Sequence, residues 1–210
     1  MIFAALGDLH GNLSALESVL DEIEDEGIQT IVNTGDIAVG GASPNEVIAC
    51  LRERHIPSAQ SEADRWLTRF SRKRSTFSRK LSAEDFAALE IAYNLCSSEN
   101  LEFLGGLPRQ IQLDVDGISI AVCHGSFATQ QDELSESDPD MQFLRQREIL
   151  SAQVYVFGRS HHPYWRSIEG QLYLNPGSVG MNTMGEGVAS YAVVSTEDEP
   201  WTVTHRHTAY

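Results

Sequence analysis

Asp8 and His10 in Gly7-Asp8-Leu9-His10-Gly11-Asn12, Asp36 in Gly35-Asp36, His124 in Cys123-His124-Gly125, and His161 in Gly158-Arg159-Ser160-His161-His162-Pro163 all stand where apolar, strand-like runs stop. Carboxylates and imidazoles are the ligands of hard-to-borderline divalent metals, and an α/β sheet delivers such groups from the carboxyl ends of its strands. The chemistry these residue types suggest is therefore metal-assisted. Any one of these short segments occurs often by chance; their ordered set carries the signal.

The elements that must position them follow from local patterns. Ile2–Leu6 reads as a buried strand, and Ser14-Ala15-Leu16-Glu17 has the form of a capping box opening a helix. Leu16, Val19, Leu20 and Ile23 recur at helical spacing, and Gly27 is a natural stop. Residues 30–33 form a second buried strand leading into Asp36. Ser43-Pro44-Asn45-Glu46 then starts a helix running to about Arg54, followed by a strand-like 56–60. This alternation is the parallel-sheet pattern. A helical stretch over 82–97 precedes a connection at 101–108 containing Gly105-Gly106. Asp116-Gly117 joins strands 111–115 and 118–122 as a hairpin. Further strands are predicted at 154–157, 172–174, 189–194 and 201–204. The acidic stretch 132–140 reads as a solvated loop and helix start.

With 210 residues, 41% of them hydrophobic, the chain suits one α/β domain, 1–210, with a basic, helical insert at about 65–100. A formal charge of −15 disfavours nucleic acid as a partner, except through the basic stretch of Arg65, Arg69, Arg72, Lys73, Arg74, Arg79 and Lys80. That stretch reads either as a solvated face or as a rim attracting an anion. Cys50, Cys96 and Cys123 are too dispersed for a disulfide framework or zinc ribbon. The apolar start is too short for a signal peptide, and no run is long enough to span a membrane. The expectation is a cytoplasmic protein without a membrane partner.

The ordered segments Asp-x-His, Gly-Asp, an altered Gly-Asn-His-Asp (Ser61-Glu62-Ala63-Asp64), His-Gly and an altered Gly-His-x-His resemble the calcineurin-like metallophosphoesterases, in particular their small bacterial and archaeal phosphodiesterases. Asp64-Arg65-Trp66, His162-Pro163, the turn from Asn175 to Gly180 and Ala189-Ser190-Tyr191-Ala192 add to the likeness, which spans essentially the whole chain. It implies two packed mixed β-sheets flanked by helices, an αββα sandwich, with metals on loops at one end. It also implies a first metal held by Asp8, His10, Asp36 and His161, and a second held by the shared Asp36, His124 and two further residues. Those two positions read Glu62 and Arg159 here. A guanidinium stays protonated and has no free lone pair, so Arg159 cannot ligate. Glu62 either pairs with Arg159 or serves as a ligand, and the pair is the favoured expectation. Ala63 stands where the family has a His that protonates the leaving group.

One divalent transition ion is expected, Mn, Fe or Zn, with two left open. The expected function is metal-dependent hydrolysis of a phosphate ester, a diester in preference. Asp36, His124, Arg159 and Asn12 are placed in catalysis, and the substrate is a small phosphate ester or nucleotide-like molecule. Asn12 contacts phosphate or caps a helix. His162 reads as rim packing, His205 and His207 as surface residues, and 175–178 as either a structural turn or part of the site. The alternative is a catalytically impaired member of the fold acting as a binding or scaffold module. A homodimer is compatible with either.

Overall fold

The computed structural model describes every residue except Asn182, Met184 and Asp198. The chain opens with β1 (Ile2–Leu6), α1 (Leu13–Asp25), β2 (Thr30–Asn33) and α2 (Pro44–Glu53). Four helices follow: α3 (Glu62–Leu67), α4 (Phe70–Lys80), α5 (Ala83–Leu95) and α6 (Ser98–Gly106). The second half holds β3 (Gln110–Val115), β4 (Ile118–Cys123), α7 (Asp140–Ile149), β5 (Val154–Phe157), β6 (Tyr164–Ile168), β7 (Gln171–Asn175), β8 (Val188–Ser195) and β9 (Thr202–Ala209).

Two mixed sheets form, in the orders β2-β1-β8-β9 and β3-β4-β5-β7-β6. β1 runs parallel to β2, and β4 parallel to β5, so the ends of these four strands deliver the loops of interest. Successive side chains of a strand point to opposite faces, and here both faces are covered. Phe3, Ala5 and Val32 pack against Ile120, Val122, Val154 and Val156 between the sheets. Ala4 and Leu6 face the other way, onto Leu16, Val19, Leu20 and Ile23 of α1. On the outer face of the five-stranded sheet, Tyr155 and Tyr173 stack with ring centroids 4.7 Å apart, and Phe143 of α7 closes over Tyr173. The result is the expected αββα sandwich.

Several local expectations change. Helix α1 is capped by Asn12, whose Oδ1 accepts from the Ala15 amide at 3.2 Å, so Ser14 lies inside the helix. Residues 56–60 make only a single bridge, Asn33 to Ser58, because Pro57 limits the pairing. The connection expected at 101–108 is largely helix α6, which includes both Gly105 and Gly106. Strand β6 was not anticipated: Arg166 and an exposed Trp165 mask its alternation, and it lies at a sheet edge. Among the described residues, no helix is long and apolar enough to cross a membrane.

Candidate metal centre

Asp8 and His10 leave the end of β1, Asp36 the end of β2, His124 the end of β4 and His161 the end of β5. Backbone hydrogen bonds zip the first two loops together: Asp8 N to Gly35 O, His10 N to Asp36 O and Gly11 N to Ile37 O, at 2.8–3.0 Å. The loop after β5 joins through the Arg159 amide, which donates to both Asp8 carboxylate oxygens at 3.1 and 3.3 Å. The turn after β7 closes the site from below. Ser178 Oγ donates to the Asp8 carbonyl at 2.8 Å, and Asn175 Nδ2 donates to the Gly158 carbonyl at 2.7 Å.

The approach of the two sheets is close here. A Cβ on Gly7 or on Gly158 would overlap the Thr34 hydroxyl, so glycine at both positions lets the strand ends close around Thr34. Backbone strain gathers at the same place. Eight non-glycine residues have positive φ among those described, and five of them are Asp8 (+54°), His10 (+49°), Asp36 (+51°), Arg159 (+75°) and His161 (+58°). Left-handed backbone costs an L-residue roughly 1–2 kcal/mol, and such strain clusters at functional sites. All four expected ligands of the first metal are therefore held in unfavourable backbone by the rest of the fold.

One ligand atom from each of Asp8, His10, Asp36 and His161 lies within 4.8 Å of the other three. The edges of this group include His161 Nε2 to Asp8 Oδ1 at 3.5 Å and His10 Nε2 to Asp36 Oδ2 at 4.0 Å. Ligands about 2.0–2.2 Å from a tetrahedral ion are about 3.3–3.6 Å apart, so the group is near the size such an ion requires. His10 Nδ1 lies 2.7 Å from the Val39 carbonyl, which can only accept. The hydrogen is therefore on Nδ1, leaving the Nε2 lone pair facing the cluster.

His124 is buried beside both carboxylates, with Nε2 3.4 Å from Asp36 Oδ2 and Nδ1 3.8 Å from Asp8 Oδ1. Among the described residues, its Nδ1 and Asp36 Oδ1 are buried without a hydrogen-bond partner. Orphaned buried polar atoms are costly, and a cation beside them removes the cost. Burial alone would raise the Asp36 pKa, but His124, His10, the nearby Ser61 hydroxyl and His161 outweigh it and lower the pKa below the ordinary value. Burial works against charge on His161, yet the adjacent Asp8 and Asp36 carboxylates and the Met181 backbone raise its pKa overall. The residues present thus fit a divalent metal ion.

The expected Glu62–Arg159 pair does not form. Glu62 sits in the first turn of α3 and turns to Arg65, one helical turn on, at 3.5 Å, while Gln131 Nε2 donates to it at 2.9 Å. Among the described residues the Arg159 guanidinium has no carboxylate within 4.0 Å, and its Nε is buried without a partner. Among those residues, too, Glu62 and His124 lie outside the four-ligand group. Asn12 takes the helix-cap alternative; its Nδ2 donates to the Gly180 carbonyl at 3.2 Å and to the Tyr210 hydroxyl at 3.0 Å. His162 is an exposed rim residue, 3.3 Å from the Thr183 hydroxyl. His205 is half-buried and reaches the Asn175 carbonyl at 2.9 Å, whereas His207 is exposed. The 175–178 turn lies beside the site, where Ser178 bonds the Asp8 carbonyl. Thr34 and Val39 support the site through a packing contact and a carbonyl, neither of which leaves a motif.

Residues 1–199 match the family model of the calcineurin-like phosphoesterase superfamily domain. The chain is 29% identical over 214 residues to the uncharacterized protein MJ0912 of Methanocaldococcus jannaschii, covering 94% of this chain and 84% of that one. Its fold is similar to that of the hypothetical protein PH1004 from Pyrococcus horikoshii OT3, with a TM-score of 0.87, 20% identity and coverage of 100% and 88% of the two chains. The metallophosphoesterase from Sphaerobacter thermophilus gives a TM-score of 0.76, 23% identity and coverage of 100% and 89%.

Proposed function

Because the chain belongs to the calcineurin-like phosphoesterase superfamily, we propose that it is a metal-dependent phosphoesterase, with a diester as the favoured substrate. The observation that carries this reading is the convergence of Asp8, His10, Asp36 and His161 on one point, each from strained backbone. These four residues would hold a divalent transition ion, which would supply Lewis acidity and a water nucleophile for hydrolysis at phosphorus. Two carboxylates and two imidazoles suit Mn, Fe or Zn.

The chain's own residues complete the chemistry. Asp36 stays anionic beside the imidazoles of His10 and His124, whose Nε2 atoms both face its Oδ2. Arg159, anchored at the centre through its main-chain bond to Asp8, supplies the positive charge that steadies the equatorial oxygens of the transferring phosphoryl group. With no carboxylate partner among the described residues, that guanidinium is available to an anion. Ala63 provides no proton for the leaving group, so substrates with good leaving groups are favoured. A diester, with a single negative charge at phosphorus, also matches a site with one ion and one arginine.

A second reading, a binding module on an inherited fold, is favoured by one observation: neither Glu62 nor Arg159 rebuilds a second metal position. Turnover of a chromogenic diester with added Mn, beside an Asp36→Asn control, separates the two. Metal-dependent turnover lost in the control supports the enzyme; equal background in both supports the module.

A further inference from the structure

The basic stretch does not spread its charge evenly. Across the junction of α3 and α4, Arg65, Arg69 and Arg72 recur at four- and three-residue spacing and line one cleft of about 580 Å³. The opposite wall is the last turn of α6, with Glu102, Gly105 and Gly106. On the rest of α4 the two arginines find partners, Arg74 with Glu90 at 2.5 Å and Arg79 with the Ser75 carbonyl at 2.9 Å, whereas among the described residues Lys73 and Lys80, which lie outside the cleft, have none. At the cleft, Glu62 answers Arg65, but among the described residues neither Arg69 nor Arg72 has a carboxylate within 4.0 Å. Burial and then Arg109 lower the Arg65 pKa, with Glu62 opposing them and Arg69 adding to them. Positive charge is therefore in excess there, in a chain whose net charge is −15.

The two glycines have no evident role in the fold. A Cβ on Gly105 would meet nothing nearer than the Thr68 side chain at 3.8 Å, and one on Gly106 nothing within 4 Å. Inside a helix a glycine costs about 1 kcal/mol relative to alanine, a penalty that applies less to Gly106 at the helix end. Their effect is to leave bare backbone opposite three arginines, where a ligand can come close.

We propose that this cleft binds a phosphate group, separately from the metal centre, and that its ligand is a small molecule bearing a pyrophosphate or terminal phosphate. The guanidinium fork matches phosphate oxygens in bidentate fashion, which a lysine cannot do. A small ligand suits the setting better than a nucleic-acid strand, because the rest of the acidic surface repels an extended polyanion. The cleft is coupled to the metal centre in space: α3 starts at Ser61, beside Asp36, and Arg65 lies about 6 Å along the helix from it at 1.5 Å per residue. The phosphate site does not depend on turnover and holds even for a chain that hydrolyses nothing.

The test is calorimetric titration of the full chain, stripped of metal and freed of chelator, with pyrophosphate. Saturable binding at one site is expected, weakened about tenfold or more by Arg69→Ala with Arg72→Ala and by Gly106→Glu, and changed less than about twofold by Lys73→Ala with Lys80→Ala. All the altered side chains are exposed, and thermal melts check that the fold is kept. The proposal is overturned if the wild type shows no saturable heat, or if the lysine pair weakens binding as much as the arginine pair. It is also overturned if Arg159→Gln abolishes binding while the arginine pair does not, which would place the ligand at the metal centre. Tighter binding of a single-stranded oligonucleotide than of pyrophosphate, with a steep salt dependence, would overturn it in favour of nucleic acid. Once binding is established, pyrophosphate competing with a diester substrate marks the group as the substrate's own, whereas a changed kcat at saturating substrate marks a separate effector.

Discussion

His10 Nε2 stands 3.1 Å from His161 Nε2, the two rings meeting edge to face with centroids 4.9 Å apart. Since the Val39 carbonyl fixes the hydrogen of His10 on Nδ1, its Nε2 offers a lone pair to the other ring. Two ring nitrogens are stable at that distance only with a proton or a cation between them.

One equivalent of a transition metal per chain is therefore expected in protein purified without chelator, read by elemental analysis. His161→Ala and Asp36→Asn should each reduce it to a small fraction. A firm two equivalents, with ions about 3.5–4 Å apart, would show that His124 and Glu62 recruit a second ion despite Arg159.

Arg159→Gly should separate stability from activity. Glycine relieves the left-handed backbone at φ +75° and removes the unpartnered Nε, while keeping the amide that binds Asp8. Strain relief of about 1–2 kcal/mol is partly offset by about 0.5–1 kcal/mol of added chain entropy. The urea midpoint should hold or rise, and diester turnover should fall about 10²-fold or more. A clearly lowered midpoint would mean that the arginine side chain holds the fold.

Thermodynamic cycles distinguish the partners of Glu62. Glu62→Gln with Arg65→Gln should show a coupling of up to about 1 kcal/mol, as befits a partly buried pair. Glu62→Gln with Arg159→Gln should be additive within about 0.5 kcal/mol. The reverse ranking would restore the Glu62–Arg159 pair.

That pair shows where sequence stops informing. The strand ends carrying Asp8, Asp36, His124 and His161 were legible because each combines a buried apolar run with a chemically distinctive residue. Which way Glu62 turns depends on Arg65 being one helical turn away and on Gln131 arriving from a distant loop. Asn12 displaced Ser14 as the cap because the Asp8–His10 loop turns sharply before the helix, a matter of backbone direction. Gly105-Gly106 suggested a break, yet packing of Leu104 keeps α6 helical through them. Asp and His enter the left-handed region more readily than most residues, but most of them do not adopt it, so residue type alone did not mark positive φ at the four ligands.

His205 gives the fold a pH dependence of determinate sign. Burial lowers its pKa below 6.5, against the Asn175 carbonyl, with His207 adding to the lowering and Glu136 opposing it. The unfolded chain therefore holds the proton more tightly, and acid favours unfolding. This contribution should reduce stability as pH falls from about 6.5 toward the lowered value, with no effect above that range. His205→Gln keeps a donor for Asn175 and cannot charge, so the loss of Tm between pH 7 and pH 5 should be smaller in the variant. An equal loss in both would assign the acid sensitivity to other groups.

The clasp of Gly7 and Gly158 around Thr34 bears on ionic radius. The distance between the loops carrying Asp8 and His161 is set by backbone against a buried hydroxyl, with no flexible side chain between to give way. Calcium, which takes six to eight oxygens at 2.3–2.6 Å, is in any case poorly served by two carboxylates and two imidazoles, so the seam bears on the choice among smaller ions. The seam lies beside the ligands without supplying one: Gly7 precedes Asp8, and Thr34 stands two residues before Asp36. Exchanging Thr34 for serine or valine should alter which ion the centre prefers before it alters how tightly any ion is held.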